Sequence, residues 1–272
     1  MEWLAAVQRL RAERLAGIII TLASVRGHAP RNGGAKMVVS AGAAWGTIGG
    51  GNLEATSIER ARVMIAEHAG EPELMTMLLN DKASAMYGVQ CCGGEVIMLL
   101  EPIRVIPAVV IFGLGHVGLE LARVLSRHDI ELHLVDSRAD MLGDDRLSVL
   151  AGGNASLQVH HAPVPESVFE LLPTGTHALI MTHDHAEDVA LCDVALRSDG
   201  LASIGLIGSR AKWLRFQRRL QGEGHTEAEL ARIQTPIGVP GIISKDPAAI
   251  AVSVAASLLQ MFETVRVPEL AD

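Results

Sequence analysis

The sequence predicts an α/β protein in two parts, a smaller N-terminal α+β domain over residues 1–104 and a C-terminal parallel-sheet domain over residues 105–272. Three observations lead there. From Ala108 onward, short apolar runs alternate with helical patterns, which is how a parallel sheet covered on both faces is written. The first of those runs, Val109–Phe112, passes straight into Gly113-Leu-Gly115-His116-Val-Gly118 and then a helical pattern. Ahead of residue 101 the pattern is different, with two helices, a buried strand, a hairpin and two further strands.

In chain order, residues 2–15 read as a helix carrying Trp3, Leu4, Val7 and Leu10 on one face, and Gly17–Val25 as a buried strand. Lys36–Ser40 and Trp45–Ile48 read as a hairpin, and Gly49-Gly50-Gly51 opens a helix reaching about His68. Glu73–Leu79 and Glu95–Leu100 are strands, with a small-residue loop over 83–94 between them. Glu101–Pro107, with a proline near each end, reads as the linker. In the second part, strands are expected at Ala108–Phe112, Glu131–Val135, 157–161, 177–181 and Leu201–Ile207, with helices over His116–His128 and from about Ser209. Asp246-Pro247 supplies a cap and a first helical residue for a last helix over Ala248–Leu259.

Composition narrows the function. At 49% hydrophobic and 20% charged, the 272 residues hold enough apolar material for sizeable cores, which excludes a disordered chain. A net charge of −8 and 3% aromatic residues argue against a nucleic-acid partner. Three cysteines, two of them adjacent (Cys91 and Cys92, with Cys192), are no disulfide framework and point to a reducing compartment. Arg9, Arg11, Glu13 and Arg14 ahead of the first apolar run do not suit a secretory leader. Pro247–Phe262 is uncharged but shorter than the roughly 20 residues of a membrane span. A cytoplasmic protein with no membrane partner is therefore expected.

The glycine turn carries the most chemistry. Asp136 ends the following strand, 18 residues past Gly118, the spacing at which a carboxylate meets a ribose hydroxyl. Gly113, Gly115 and Gly118 allow a tight turn and close approach of a phosphate to the helix N-terminus, beside His116. Asp136 would repel a 2′-phosphate, although Arg138 stands close by. Two later strand ends add candidates. Thr182-His183-Asp184-His185, with Asp188 one turn on, has metal-ligand residue types, but contact of His183 and Asp184 with a bound ligand is the stronger expectation than a tight metal site. Gly208-Ser209-Arg210-Ala-Lys212 brings hydroxyl and cationic groups to a helix start, suited to an anion; alternatively Lys212, Arg215, Arg218 and Arg219 form a solvated basic face. In the first part, Gly49, Gly50 and Gly51 form a second candidate anion nest, with His28, Arg31 and Lys36 as sources of charge. Cys91-Cys92-Gly93-Gly94 offers either reactive or metal-binding thiols, or two small buried hydrophobes.

Taken together these residues resemble the XdhC/CoxI family, the xanthine dehydrogenase accessory proteins. The resemblance rests on Ala29–Met37, Gly46–Glu54 and Cys92-Gly-Gly94 in the first part, and on Gly113–Gly118, Val135–Arg138, Met181–Asp184, Gly205–Lys212 and Pro236–Gly238, in that order, in a Rossmann-like second part. It implies a chaperone that binds the molybdenum cofactor, in its molybdopterin form or as the cytidine dinucleotide. Such a protein supports sulfuration by a cysteine desulfurase and helps insert the cofactor into apo xanthine dehydrogenase or a related molybdenum hydroxylase. It also implies a homodimer, and contact of the motif residues with the cofactor. Cys92 would lie near molybdenum as a soft ligand or a sulfur relay. No catalytic residue is implied.

Two readings compete. The glycine turn and Asp136 also suit NAD, hence an NAD(P)-dependent oxidoreductase, although a Tyr-x-x-x-Lys pair is absent: the one tyrosine, Tyr87, has Cys91 four residues on. A dinucleotide-sensing regulatory protein is the third reading.

Overall fold

A computed structural model describes residues 2–79 and 94–264. The chain divides into two compact units, one within Met1–Val105 and one spanning Ile106–Glu263.

The first unit holds α1 (Trp3–Ala12), β1 (Gly17–Arg26), β2 (Lys36–Ser40), β3 (Ala44–Gly46), α2 (Gly51–Ala66), β4 (Glu73–Leu79) and β5 (Gly94–Ile103). Its strands form an antiparallel sheet in the order β3-β2-β1-β5-β4. Alternation along β1 sends Ile18, Ile20 and Leu22 to one face, where they join Met37, Val39, Val96, Met98 and Leu100. α2 covers that face with Leu53, Ala61 and Met64, a single helical stripe. α1 buries Ala6 and Leu10 with Val38 and Ile103 in a separate cluster.

Two boundaries differ from expectation. β5 continues through Pro102 to Ile103, pairing Gly17 with Ile103, so the expected linker from Glu101 shrinks to residues 104–107. β4 accompanies β5 only as far as Leu100, so Pro102 lies where β5 has β1 alone beside it, a position that tolerates a missing N–H. The second strand of the hairpin ends at Gly46 rather than Ile48, because the amides of residues 48–50 turn away to a carboxylate described below. The loop expected over 83–94, with Cys91 and Cys92, lies outside the described residues except for Gly94.

The second unit holds β6 (Ala108–Phe112), α3 (His116–Leu125), β7 (Glu131–Asp136), α4 (Asp144–Leu147), β8 (Ser156–His161) and β9 (Thr176–Ile180). It continues with α5 (His185–Arg197), β10 (Leu201–Leu206), α6 (Arg210–Gly222), α7 (Glu227–Leu230), β11 (Ile233–Gln234) and α8 (Pro247–Thr264). All six strands are parallel, in the order β11-β10-β9-β6-β7-β8. β6 and β9 are buried at every residue, which is why they read as unbroken apolar runs. Val110, Phe112, Ala178 and Ile180 pack with α5 and α6 residues such as Cys192, Leu196 and Phe216. Val109, Ile111, Leu132 and Leu134 pack with Leu121 and Leu125 of α3 and Val254 and Leu258 of α8. The unit is thus three layers with a Rossmann strand order. The chain leaves β6 toward β7 on one side and reappears at β9 on the other, so the switch point lies at the carboxyl ends of β6 and β9. Among the described residues, no helix is long and apolar enough to cross a membrane.

Candidate functional site

The switch point is lined by the turns that follow β6, β7, β9 and β10. After β6, Gly113 has φ +103, and a Cβ there would meet the Met181 carbonyl oxygen at 2.5 Å and Thr182 Cα at 2.7 Å. A Cβ on Gly118 would collide with the Gly113 carbonyl oxygen. Both glycines are therefore required by packing, of β6 against the chain leaving β9 and of α3 against its own turn. Gly115 is different: a Cβ there would meet nothing within 4 Å. It is the N-cap of α3 without a side-chain cap, so the first-turn N–H groups at His116 and Val117 face an open approach. Unpaired N–H groups at an open helix start are suited to an anion.

Asp136, at the end of β7, is 2% exposed. Its Oδ2 accepts from the Leu114 N–H (2.7 Å) and from Arg138 Nη2 (3.0 Å), and its Oδ1 accepts from the Arg138 N–H (3.0 Å) and Nε (2.9 Å). Burial works against the charge, but these bonds and the Arg138 guanidinium outweigh it and hold the carboxyl below the ordinary aspartate range. Arg146 Nη2 donates to the Leu114 carbonyl at 2.8 Å, so Leu114 is held through both its N–H and its carbonyl.

After β9, Asp184 caps α5, accepting from the Ala186 N–H at 2.8 Å, while His183 and His185 are exposed. Asp188 is fully buried and accepts from the Thr182 N–H (3.0 Å), Thr182 Oγ1 (2.8 Å) and Lys212 Nζ (2.5 Å). Asp188 is therefore directed at Lys212 and Thr182. No three His, Cys, Asp or Glu side chains are placed to hold a metal ion among the described residues. Lys212 leaves the solvated basic face to which its sequence neighbours assign it: it is 8% exposed, and it also donates to the Ile207 carbonyl at 2.9 Å. It braces the turn after β10, where a Cβ on Gly208 would meet Lys212 Cδ at 2.7 Å. Ser209 caps α6 through the Lys212 N–H at 3.3 Å, and Arg210 is exposed.

One residue absent from the sequence reading belongs here. Glu187, in the first turn of α5, accepts from Ser137 Oγ at 2.8 Å, joining the turn after β7 to the turn after β9. Burial pushes its carboxyl up, and the Asp136 and Asp188 charges add to that against the Ser137 bond and His183. The sequence signal was an acidic residue in the first turn of a helix opened by His183-Asp184.

In the first unit the expected anion nest is already filled by the chain itself. Glu54 Oε1 accepts from the N–H groups of Ile48 (3.0 Å), Gly49 (3.1 Å) and Gly50 (2.7 Å) and from Thr47 Oγ1. Burial raises the Glu54 pKa, but the four bonds outweigh it and leave the carboxyl below its ordinary range. The Gly49 and Gly50 amides, expected to meet the cofactor, thus wrap a carboxylate of the helix they open. Pro30 packs on the same turn, 2.7 Å from where a Gly49 Cβ would stand, and a Cβ on Gly94 would collide with the His28 carbonyl oxygen. The loop that carries His28 and Pro30 thus packs against both Gly49 and Gly94. Lys36 points elsewhere, with Nζ on Thr21 Oγ1 at 2.7 Å and 5.5 Å from the Trp3 ring centroid. Cys92 lies outside the described residues.

Two family models match this chain. Residues 109–258 match the XdhC Rossmann domain and residues 10–77 match the XdhC and CoxI family. The uncharacterised protein YqeB of Escherichia coli (strain K12) is 26% identical over 236 residues, 87% of this chain but 42% of that protein, so the chain spans less than half the length of this relative. A Bacillus halodurans protein, whose crystal structure is described as that of a xanthine dehydrogenase, aligns with 100% of this chain and 98% of its own at 18% identity and a TM-score of 0.51. At that identity the likeness is one of fold.

Proposed function

The chain belongs to the XdhC and CoxI family, and from that membership we propose an accessory protein that binds the molybdenum cofactor, supports its sulfuration by a cysteine desulfurase and helps insert it into apo xanthine dehydrogenase or a related molybdenum hydroxylase. The observation that carries the reading is the turn after β6. Its outer glycines are locked by packing, while Gly115 leaves the start of α3 open to an anion. A phosphate of the molybdopterin form, or the pyrophosphate of its cytidine dinucleotide, fits that opening against Gly115 and His116. His183, Ser209 and Arg210 stand on neighbouring turns and are proposed to contact the remainder of the ligand. Asp136 and Lys212 act one step back, holding the turns in place. When bound, the cofactor supplies the molybdenum–dithiolene chemistry used by the enzyme that receives it. The work of this chain is to bind, orient and shield. Cys92 is proposed as the soft ligand nearest the metal. A homodimer in the cytoplasm completes the reading.

The test is anaerobic purification followed by pterin fluorescence after oxidation, metal analysis, and activation of an apo-hydroxylase. Wild type should retain pterin, and a folded Gly115→Val protein should lose at least about tenfold in affinity, since a side chain there fills the anion's approach. Equal retention by both proteins, or a wild type that neither retains pterin nor activates the hydroxylase, overturns the proposal. Turnover of NADH with a small substrate would instead favour the oxidoreductase reading, which rests on the same turn.

A further inference from the structure

We infer that Glu187, together with Ser137, is the specificity-determining pair of the Rossmann crevice, reading the unphosphorylated diol of a ribose, and that Asp136 is a positioning residue. The inference rests on the reading that this crevice takes a phosphate-bearing ligand, and it narrows that ligand to a nucleotide-bearing one.

In a sheet of this strand order, a carboxylate at the end of the second strand reads the ribose of a ligand whose phosphate lies on the glycine turn. Asp136 holds that place but is closed to the task. Four donors, from Leu114 and Arg138, already occupy its two oxygens, and it is 2% exposed. A ribose hydroxyl could bind it only by displacing the guanidinium and loosening the turn that cradles the phosphate. The adjoining residue has no such commitment. Ser137 is half-buried and its hydroxyl lies 2.8 Å from Glu187 Oε2. Among the described residues, Ser137 is the one hydrogen-bond partner shown for the Glu187 side chain, so most of its acceptor capacity is available. Ser137 follows β7 and Glu187 follows β9, the two strands that flank β6. The pair therefore spans the end of the strand that carries the glycine turn, and a ligand extending from that turn toward β7 meets it. A carboxylate beside a hydroxyl suits a vicinal diol, which donates two O–H groups to the carboxylate.

The same geometry disfavours a 2′-phosphate. The nearby guanidinium, Arg138, is engaged bidentately by Asp136, and Asp140 and Glu187 also face it. The groups facing Glu187 are His183 and Arg138 together with Asp136 and Asp188, and of the two cations the guanidinium is already held by Asp136. A dianion here meets carboxylates without a free fork to receive it. The ligand class is a dinucleotide or nucleotide with a free ribose diol, such as NAD or a cytidine-bearing cofactor.

The experiment uses the full chain and two probe pairs, NADH against NADPH by fluorescence titration, and CDP against 2′-deoxy-CDP by competition or calorimetry. Which pair binds more tightly tells the two sources of the diol apart. Wild type should prefer the free diol by about tenfold or more in the pair it binds. Glu187→Gln should narrow that preference to under about threefold, Glu187→Asp should restore part of it, and Ser137→Ala should narrow it less. A preference ratio is insensitive to loss of fold stability, so a purely structural role would not move it. Equal affinity within both pairs in wild type, or an unchanged ratio in Glu187→Gln, overturns the inference. If pterin binds while neither nucleotide pair does, the inference falls and the cofactor reading stands. If nothing binds, both fall.

Discussion

Replacing Glu54 by alanine should destabilise the first unit by about 2–3 kcal/mol. The figure comes from its partners. A hydrogen bond to a charged group contributes about 1.5–3 kcal/mol when buried, and Glu54 Oε1 takes the N–H groups of Ile48, Gly49 and Gly50. Ile48 is fully buried, whereas Gly49 and Gly50 are half-buried, so water replaces part of the loss at those two positions. Glu54→Gln keeps an oxygen without its charge and should recover about half of the loss. Urea unfolding at pH 7 measures both. The vacated amides of Glu54→Ala should then bind phosphate or sulfate, and at about ten times its Kd such an anion restores about 1.4 kcal/mol. Wild type should show no comparable gain. The pH dependence has a definite sign. The folded Glu54 carboxyl is depressed below its ordinary value of 4.5, so its contribution is complete above that value and is lost as pH falls through the lower, folded one. The gap between wild type and Glu54→Gln should therefore close in acid. An alanine variant within 0.5 kcal/mol of wild type, on the order of a neutral surface change, would refute this account. So would equal anion stabilisation of variant and wild type.

Other consequences can be checked the same way. Gly118→Ala should cost about 1–3 kcal/mol, because the new methyl meets the Gly113 carbonyl and α3 must move; Gly115→Ala, with open space around it, should unfold within about 0.5 kcal/mol of wild type. Lys212→Met should cost about 3–5 kcal/mol by stranding the buried Asp188 carboxylate, and adding Asp188→Asn should recover much of it in a double-mutant cycle; a single variant as stable as wild type would show the pair to be dispensable. Cys192 is buried and its thiol is pushed up to about 12, mainly by burial. Peptide mapping after iodoacetamide at pH 8 should find it unmodified in the native protein and modified in guanidinium chloride, and native labelling at a similar rate would contradict that burial.

The second unit was readable because β6 and β9 are covered on both faces, which turns each into an apolar run. The glycine turn was readable because its residues are local, and steric needs at Gly113 and Gly118 leave no other choice of side chain. Partnerships between distant residues were not readable. Lys212 and Asp188 are 24 positions apart, and nothing in a helix of arginines marks its one lysine as buried. Ser137 and Glu187 are 50 apart. Asp136 and Arg138 are close in sequence, yet spacing does not say that the arginine folds back to close the carboxylate. At Gly49–Gly51 the sequence correctly marked an anion-binding backbone, but not that the anion, Glu54, is supplied three residues into the same helix.

The holding of Leu114, at its N–H by Asp136 and at its carbonyl by Arg146, has a consequence for affinity. A glycine-rich turn that is loose before binding must lose backbone freedom when a phosphate arrives, about 1–2 kcal/mol for each residue fixed. Here one peptide of the turn is tied to β7 through Asp136 and the next to α4 through Arg146 before any ligand is present. That ordering is completed when the unit folds. The interaction with the phosphate can then appear almost entirely as affinity, and the loss of either tether should slow capture and weaken retention without touching the ligand itself.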